Sequence, residues 1–188
     1  MRLLIESQIR ESIRTKELLL EKKHINSISK AAEAIAETLK RGGKLIVFGN
    51  GGSAADAQHF AAELVGRFKK ERKGLPAISL TTNASTITAV ANDYSYDVSF
   101  SRQLEAFATP KDIVVGISTS GQAKNVIAAV TWAKKHGIRT IALTGKDGGK
   151  LAKITDISLI VPSMHTPAIQ ESHITIIHAI CAIIDEKF

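Results

Sequence analysis

An open, doubly wound α/β sheet of about five parallel strands, preceded by a helical extension, is the fold this sequence predicts. Three observations predict it. Short β-branched runs recur at Lys44–Gly49 (KLIVFG), Ala77–Thr82 (AISLTT), Asp112–Ser118 (DIVVGIS), Thr140–Gly145 (TIALTG) and Asp156–Val161 (DISLIV). Each is apolar nearly throughout, as strands covered on both faces must be. Helix-period stretches separate them, over roughly 53–68, 84–107 in pieces, 122–136, a short turn near 148–153, and 168–186.

Ahead of the first strand, Ile5, Ile9 and Ile13 fall at i, i+4, i+8, and Ile28, Ala31, Ile35 and Leu39 follow a second helical period before Gly42-Gly43 stops it. Two helices before any strand need a partner surface, so residues 1–41 read as an oligomerisation arm on a single domain spanning 1–188. With 44% hydrophobic and 23% charged residues the composition is that of a soluble globular domain. The acidic residues Glu6 and Glu11 argue against a signal peptide. Ile174–Ile184, the longest apolar stretch, is too short to cross a bilayer. The only cysteine, Cys181, lies within it and fits a reducing, cytoplasmic setting with no disulfide.

The net charge of +7 suits anionic small molecules better than nucleic acid, because aromatic stacking residues make up only 5% of the chain. The run Lys69-Lys70-Glu71-Arg72-Lys73 reads as a solvated loop. Neither a nucleic-acid nor a membrane partner is expected.

The first strand runs directly into Gly49-Asn50-Gly51-Gly52-Ser53, where a parallel sheet binds ligands. The loose dinucleotide pattern G-x-G-x-x-A is met. A ribose-binding acid at the end of the second strand is missing, since that end reads Leu80-Thr81-Thr82-Asn83. A phosphate cradle asks only for close backbone approach, hydroxyls and a helix N-terminus, with Ser53 as candidate N-cap. The third strand ends the same way, in Ser118-Thr119-Ser120-Gly121-Gln122. On the following helix, Phe60, Leu64 and Phe68 form an apolar stripe, and His59, Glu63 and Arg67 form a polar one beside it. That polar stripe is either a salt-bridge ladder or an acid–base and metal-binding set rising from the phosphate loop. In the last helix, His178 has the surroundings of a core histidine. Gln170 and His178 lie two turns plus about 80° apart, so they meet one ligand only if the helix bends or two chains contribute.

Together, GNGGSAADAQHFAAELVGRF, LPAISLTTNAS, ANDY, FSRQLEAFA, DIVVGISTSG, IALTG with DGGKL, and IQESHITIIH resemble the phosphoheptose isomerases of the sugar-isomerase (SIS) family over essentially the whole chain. The resemblance implies a five-stranded parallel sheet flanked by helices and a homotetramer with active sites between subunits. It also implies conversion of sedoheptulose 7-phosphate to D-glycero-D-manno-heptose 7-phosphate, the first step toward lipopolysaccharide heptose. By the same resemblance, Glu63 and His178 are the acid–base pair. His59, Glu63, Gln170 and His178 are ligands of a zinc ion, one per subunit. Asn50, Gly51, Gly52, Ser53, His59, Glu63, Arg67, Asn92, Asp93, Ser118, Thr119, Ser120 and Gln170 line the substrate site. Three departures stand out: Gln122-Ala123 replaces the family's usual Asn-Ser, Asn83 an Asp, and Ala91 a Gly. The alternatives are an isomerase for another sugar phosphate, or a non-catalytic SIS protein that binds the replication initiator. In the latter the acid–base pair is lost, whereas Glu63 and His178 are both present here.

Overall fold

The computed structural model describes residues 1–188. Two helices, α1 (Arg2–Leu18) and α2 (Lys22–Lys40), precede β1 (Leu45–Gly49). There follow α3 (Gly52–Val65), β2 (Ala77–Ser79), α4 (Ala84–Asp93), a 3-10 turn at Tyr96–Val98, α5 (Ser99–Phe107) and β3 (Ile113–Ser118). The chain closes with α6 (Lys124–Lys135), β4 (Arg139–Gly145), α7 (Gly149–Ile154), β5 (Ile157–Val161) and α8 (Thr166–Asp185).

The five strands form one sheet of order β2-β1-β3-β4-β5, and every pairing is parallel. Side chains alternate between two covered faces. Leu45, Val47, Val115, Ile117, Ile141 and Leu143 enter the core beneath α2, α3 and α8. Ile46, Phe48, Val114 and Ala142 enter the smaller core beneath α5, α6 and α7. This is why the strands read as continuous apolar runs.

Class, strand count and helical extension are as the sequence predicts, and three local features differ. The second strand is three residues long, not six. After Ser79 its hydroxyls fold back on themselves, with Thr82 Oγ1 donating to the Ser79 carbonyl and Ser79 sharing a hydrogen bond with Thr81. Beyond the Leu80 amide, which still donates to the Val47 carbonyl of β1, those bonds stand in place of a ladder. Ser53 is not the N-cap of α3. That position is taken by Gly51 at φ 57 and ψ −123, backbone angles that suit glycine alone, and Ser53 sits inside the first turn with its amide donating to the Asn50 carbonyl. Arg67 falls beyond the end of α3, so the polar stripe stops at Glu63. The last helix, α8, falls where the sequence places it; at 20 residues it is, by length and composition alone, apolar enough to cross a bilayer. Its apolar surface is spent inside the domain, where Ile169, Ile176, Ile177, Ile180 and Ile184 pack into the larger core.

Candidate active site

The strand order reverses between β1 and β3, so their carboxyl ends open a crevice, the position at which doubly wound sheets bind ligands. The loops Asn50–Ser53 and Thr119–Ala123 emerge side by side there. They are joined by a residue that the sequence reading passed over, Asn125 in the first turn of α6. Asn50 Nδ2 donates to Asn125 Oδ1 at 2.8 Å, and Asn125 Nδ2 donates back to Asn50 Oδ1 at 2.9 Å. The Tyr96 hydroxyl also donates to Asn50 Oδ1, at 2.8 Å. Asn125 is only 2% exposed, so this reciprocal amide pair is shielded from competing water. It also caps the helix locally: Asn125 Oδ1 accepts the Val126 amide at 2.9 Å, while the N-cap residue, Ala123, makes no side-chain cap. A buried polar residue at the third position after S-T-S-G-Q was the one available signal for it.

Ser118 is buried and Thr119 and Ser120 are half-buried. The Ser120 hydroxyl accepts the Gln122 amide at 3.3 Å, and the Gly121 amide donates to the Ser118 carbonyl, which turns the loop tightly in front of α6. A hydroxyl-rich turn thus runs directly into the N-terminus of a helix at the crevice, an arrangement that suits a phosphate. Gly51 and Gly52 border it from the other side. A side chain on Gly52 would overlap the Gln170 amide of α8, so glycine there lets the two helices approach.

From Gly52, α3 and α8 run in the same direction. Gln170 meets Gly52 at their start, and His178 meets His59 further along. Within one chain the two residues therefore occupy successive levels of one seam and do not meet at one point. At the second level, His59 Nε2 lies 2.8 Å from Glu63 Oε1 and 3.3 Å from His178 Nε2. One ring nitrogen cannot serve both neighbours well with a single proton, because it either donates or accepts. A cation would satisfy all three atoms, and the ligand atoms of His59, Glu63 and His178 all lie within 4.8 Å of one another. Two imidazoles and a carboxylate are a donor set for zinc that leaves one position for substrate. Gln170, expected among the ligands, lies within the same chain against Gly52. His178 is half-buried and stacks on Phe68 with ring centroids 5.5 Å apart, so it is not a core histidine. That place belongs to His173, which is fully buried and hydrogen-bonded to the Thr144 carbonyl at 3.1 Å, with burial pushing its pKa down to about 4.

Other expected site residues lie apart from this cluster within one chain. Arg67 is exposed and pairs at 3.6 Å with Glu71. Asn92 and Asp93, at the end of α4, are exposed and hydrogen-bond to each other at 2.9 Å. Asp56, also missed, sits one turn before His59, half-buried and with its buried Oδ2 unpartnered. Burial pushes its carboxyl up to about 6, against the pull of nearby His59.

The parallel sheet, the crevice at its switch point and the helix that rises from it define the class of a sugar-isomerase (SIS) protein. The family model described as SIS domain matches residues 9–145, and the chain belongs to that family. Within it the chain belongs with the phosphoheptose isomerases. It is 62% identical over 165 residues to a probable phosphoheptose isomerase of Thermoplasma acidophilum, a match covering 88% of this chain and 91% of that protein. The solved phosphoheptose isomerase of Neisseria gonorrhoeae superposes with a TM-score of 0.92 at 45% identity, over 98% of each chain. That of Francisella tularensis superposes with a TM-score of 0.94 at 40% identity, over 99% of each.

Two outcomes follow from this geometry. Truncating Asn125 to Ala leaves the Asn50 amide without its partner and is expected to cost about 1–3 kcal/mol in urea unfolding. The same variant raises KM for the sugar phosphate more than it lowers kcat; unchanged stability and KM would show that the pair does not hold the loop. The second outcome concerns pH. Between its ordinary value of 3.8 and about 6, Asp56 keeps a proton in the folded protein that the unfolded chain has released. Stability therefore falls as pH rises through that window. In chelator-treated protein, Asp56→Asn is expected to flatten the decline in Tm from pH 4 to pH 6.5, and an equally steep decline in the variant would exclude the effect.

Proposed function

We propose that this protein is a ketose–aldose isomerase that interconverts sedoheptulose 7-phosphate and D-glycero-D-manno-heptose 7-phosphate. The observation that carries this reading is the convergence of Glu63 and His178 one helix length away from a hydroxyl-lined anion crevice, in a chain whose relatives are phosphoheptose isomerases. Isomerisation moves one hydrogen from C1 to C2. The Glu63 carboxylate takes a proton from C1, and the electron pair of that C–H bond becomes the C1–C2 double bond of an enediol. The carbonyl oxygen on C2 receives the proton held by His178. In the return half, the C1 hydroxyl gives its proton to His178 and becomes the aldehyde, while Glu63 delivers its proton to C2. Both groups end as they began, so proton and electron counts close. A carboxylate paired with an imidazole is suited to this task.

The distant phosphate is assigned to Ser118, Thr119 and Ser120 with the amides at the start of α6. Asn50, Gly51, Gly52 and Gln170 are proposed to hold the sugar chain, with Ser53 closing the base of the crevice. His59, Glu63 and His178 are proposed to hold one zinc ion per chain. Such an ion, when bound, polarises the carbonyl and hydroxyl oxygens of the substrate.

We also infer assembly into a homotetramer. Ile5, Ile9 and Ile13 of α1 are 55%, 55% and 52% exposed, an apolar stripe that a second copy of the chain would cover. Arg67, Asn92 and Asp93, which stand apart from the cluster, are then available to complete a neighbouring site. A cytoplasmic setting, with the product entering heptose precursors of a surface glycoconjugate such as lipopolysaccharide, fits a phosphorylated substrate and a single buried thiol.

Two measurements test this reading. Proton NMR of the protein with sedoheptulose 7-phosphate is expected to show a new aldose anomeric signal. Glu63→Gln should slow its appearance by at least about 100-fold with unchanged circular dichroism, and a chelator should suppress it. Folded, zinc-loaded protein that produces no aldose would overturn the substrate assignment, and near-normal turnover by the variant would remove Glu63 from the chemistry. Light scattering at micromolar concentration is expected to give four times the chain mass, and a monomer mass would overturn the assembly.

A further inference from the structure

The basic run Lys69–Lys73 contains a buried ion pair. The side chains of Arg72 and Asp185 are each 3% exposed and meet at 2.8 Å. Arg72 Nη1 donates to the Leu64 carbonyl at 2.9 Å, and Nη2 donates to the Glu63 carbonyl at 3.0 Å. Asp185 uses its other oxygen to accept the amides of Lys69 and Lys70, at 2.8 Å and 2.9 Å. One guanidinium therefore grips the last carbonyls of α3 and the last residue of α8 together. A cation at the carboxyl end of a helix is favoured by the helix dipole, and only the planar fork of arginine reaches three such acceptors at once.

The position of this pair gives it a further consequence. α3 carries Glu63 and α8 carries His178, and the Glu63 carbonyl is itself one of the groups held. At the opposite end the seam is set by the contact of Gly52 with Gln170. Buried ion pairs contribute little net stability compared with apolar residues of the same volume, so geometry is the better reason for one here. We propose that Arg72 and Asp185 are positioning residues of the isomerase centre: their ion pair sets the register and separation of α3 and α8, and with them the approach of Glu63 to His178. This rests on the isomerase reading for its kinetic consequence but not for its structural one.

Cys181 supplies a reporter that is independent of activity. It is the only cysteine, fully buried on α8, with its thiol pushed up to about 12 by burial first and by the charges of Glu63 and Asp185 next. The test compares wild type with Arg72→Lys and Asp185→Asn, mild variants that keep a donor or an acceptor in place. Each is assayed well below its Tm for kcat, for KM and for the labelling rate of Cys181 by an aromatic disulfide reagent. The proposal expects kcat to fall about 10- to 100-fold while KM stays within about threefold, because the phosphate loop lies at the other end of the seam. It also expects Cys181 to label at least about tenfold faster, at a rate insensitive to urea below the unfolding transition, as for a local opening. Wild-type kcat per folded molecule, or labelling that only follows global unfolding, would overturn it. A wild type inactive on the heptose phosphate would defeat the isomerase reading alone, since faster labelling in the variants would still establish the clamp.

Discussion

The proposed proton transfer depends on how far apart two parallel helices lie. α3 and α8 cross the same face of the sheet in the same direction, and His59, Glu63 and His178 meet in the seam between them. A glycine opens the seam at one end, where Gly52 lets the Gln170 amide lie against the helix backbone. A buried arginine closes it at the other, where Arg72 spans the end of α3 and the end of α8. Between these points the separation brings His59 Nε2 to 3.3 Å from His178 Nε2. A shift of one ångström would separate the donors or crowd them, and side chains held by close-packed helices do not yield by small continuous amounts.

The sheet determines where the seam ends. Because β1 and β3 are neighbours while the chain leaves them in opposite directions, the loops after both strands open at one crevice. The Asn50–Asn125 amide pair ties those loops together, so the loop after β3 and the start of α3 are held as one unit. In the proposed mechanism, the loop assigned to the phosphate and the helix that carries Glu63 are thereby joined. That is the arrangement through which binding energy from a remote group can orient the reacting carbons. Burial then separates the histidines by role: His173 is kept neutral in the core, while His178 faces the seam half-buried.

Much of this was legible in the sequence, because it rests on local patterns. Apolar β-branched runs mark strands covered on both faces, and the glycine- and serine-rich stretches after two of them mark the ligand edge. His59 and Glu63 are readable as partners because one helical turn fixes their spacing. What was not legible depends on residues far apart in the chain. Arg72 looks like one charge in a solvated run until Asp185, 113 positions away, is folded against it. Asn125 looks like an ordinary helix residue until Asn50 turns toward it. The polar stripe reads too long for the opposite reason: the helical period runs on to Arg67 in the sequence, whereas the helix stops at Val65. Within one chain Gln170 and His178 stand at two levels of one seam, as their angle on the helix requires.

The most direct measurement is hydrogen exchange at carbon, followed by proton NMR of sedoheptulose 7-phosphate incubated with the protein in deuterium oxide. If Glu63 is the base, wild type incorporates solvent deuterium at C1 of the ketose and C2 of the aldose, and Glu63→Gln, folded and equally able to bind the sugar phosphate, does not. Incorporation by that variant at the wild-type rate would contradict the assignment of the seam as the proton-transfer site.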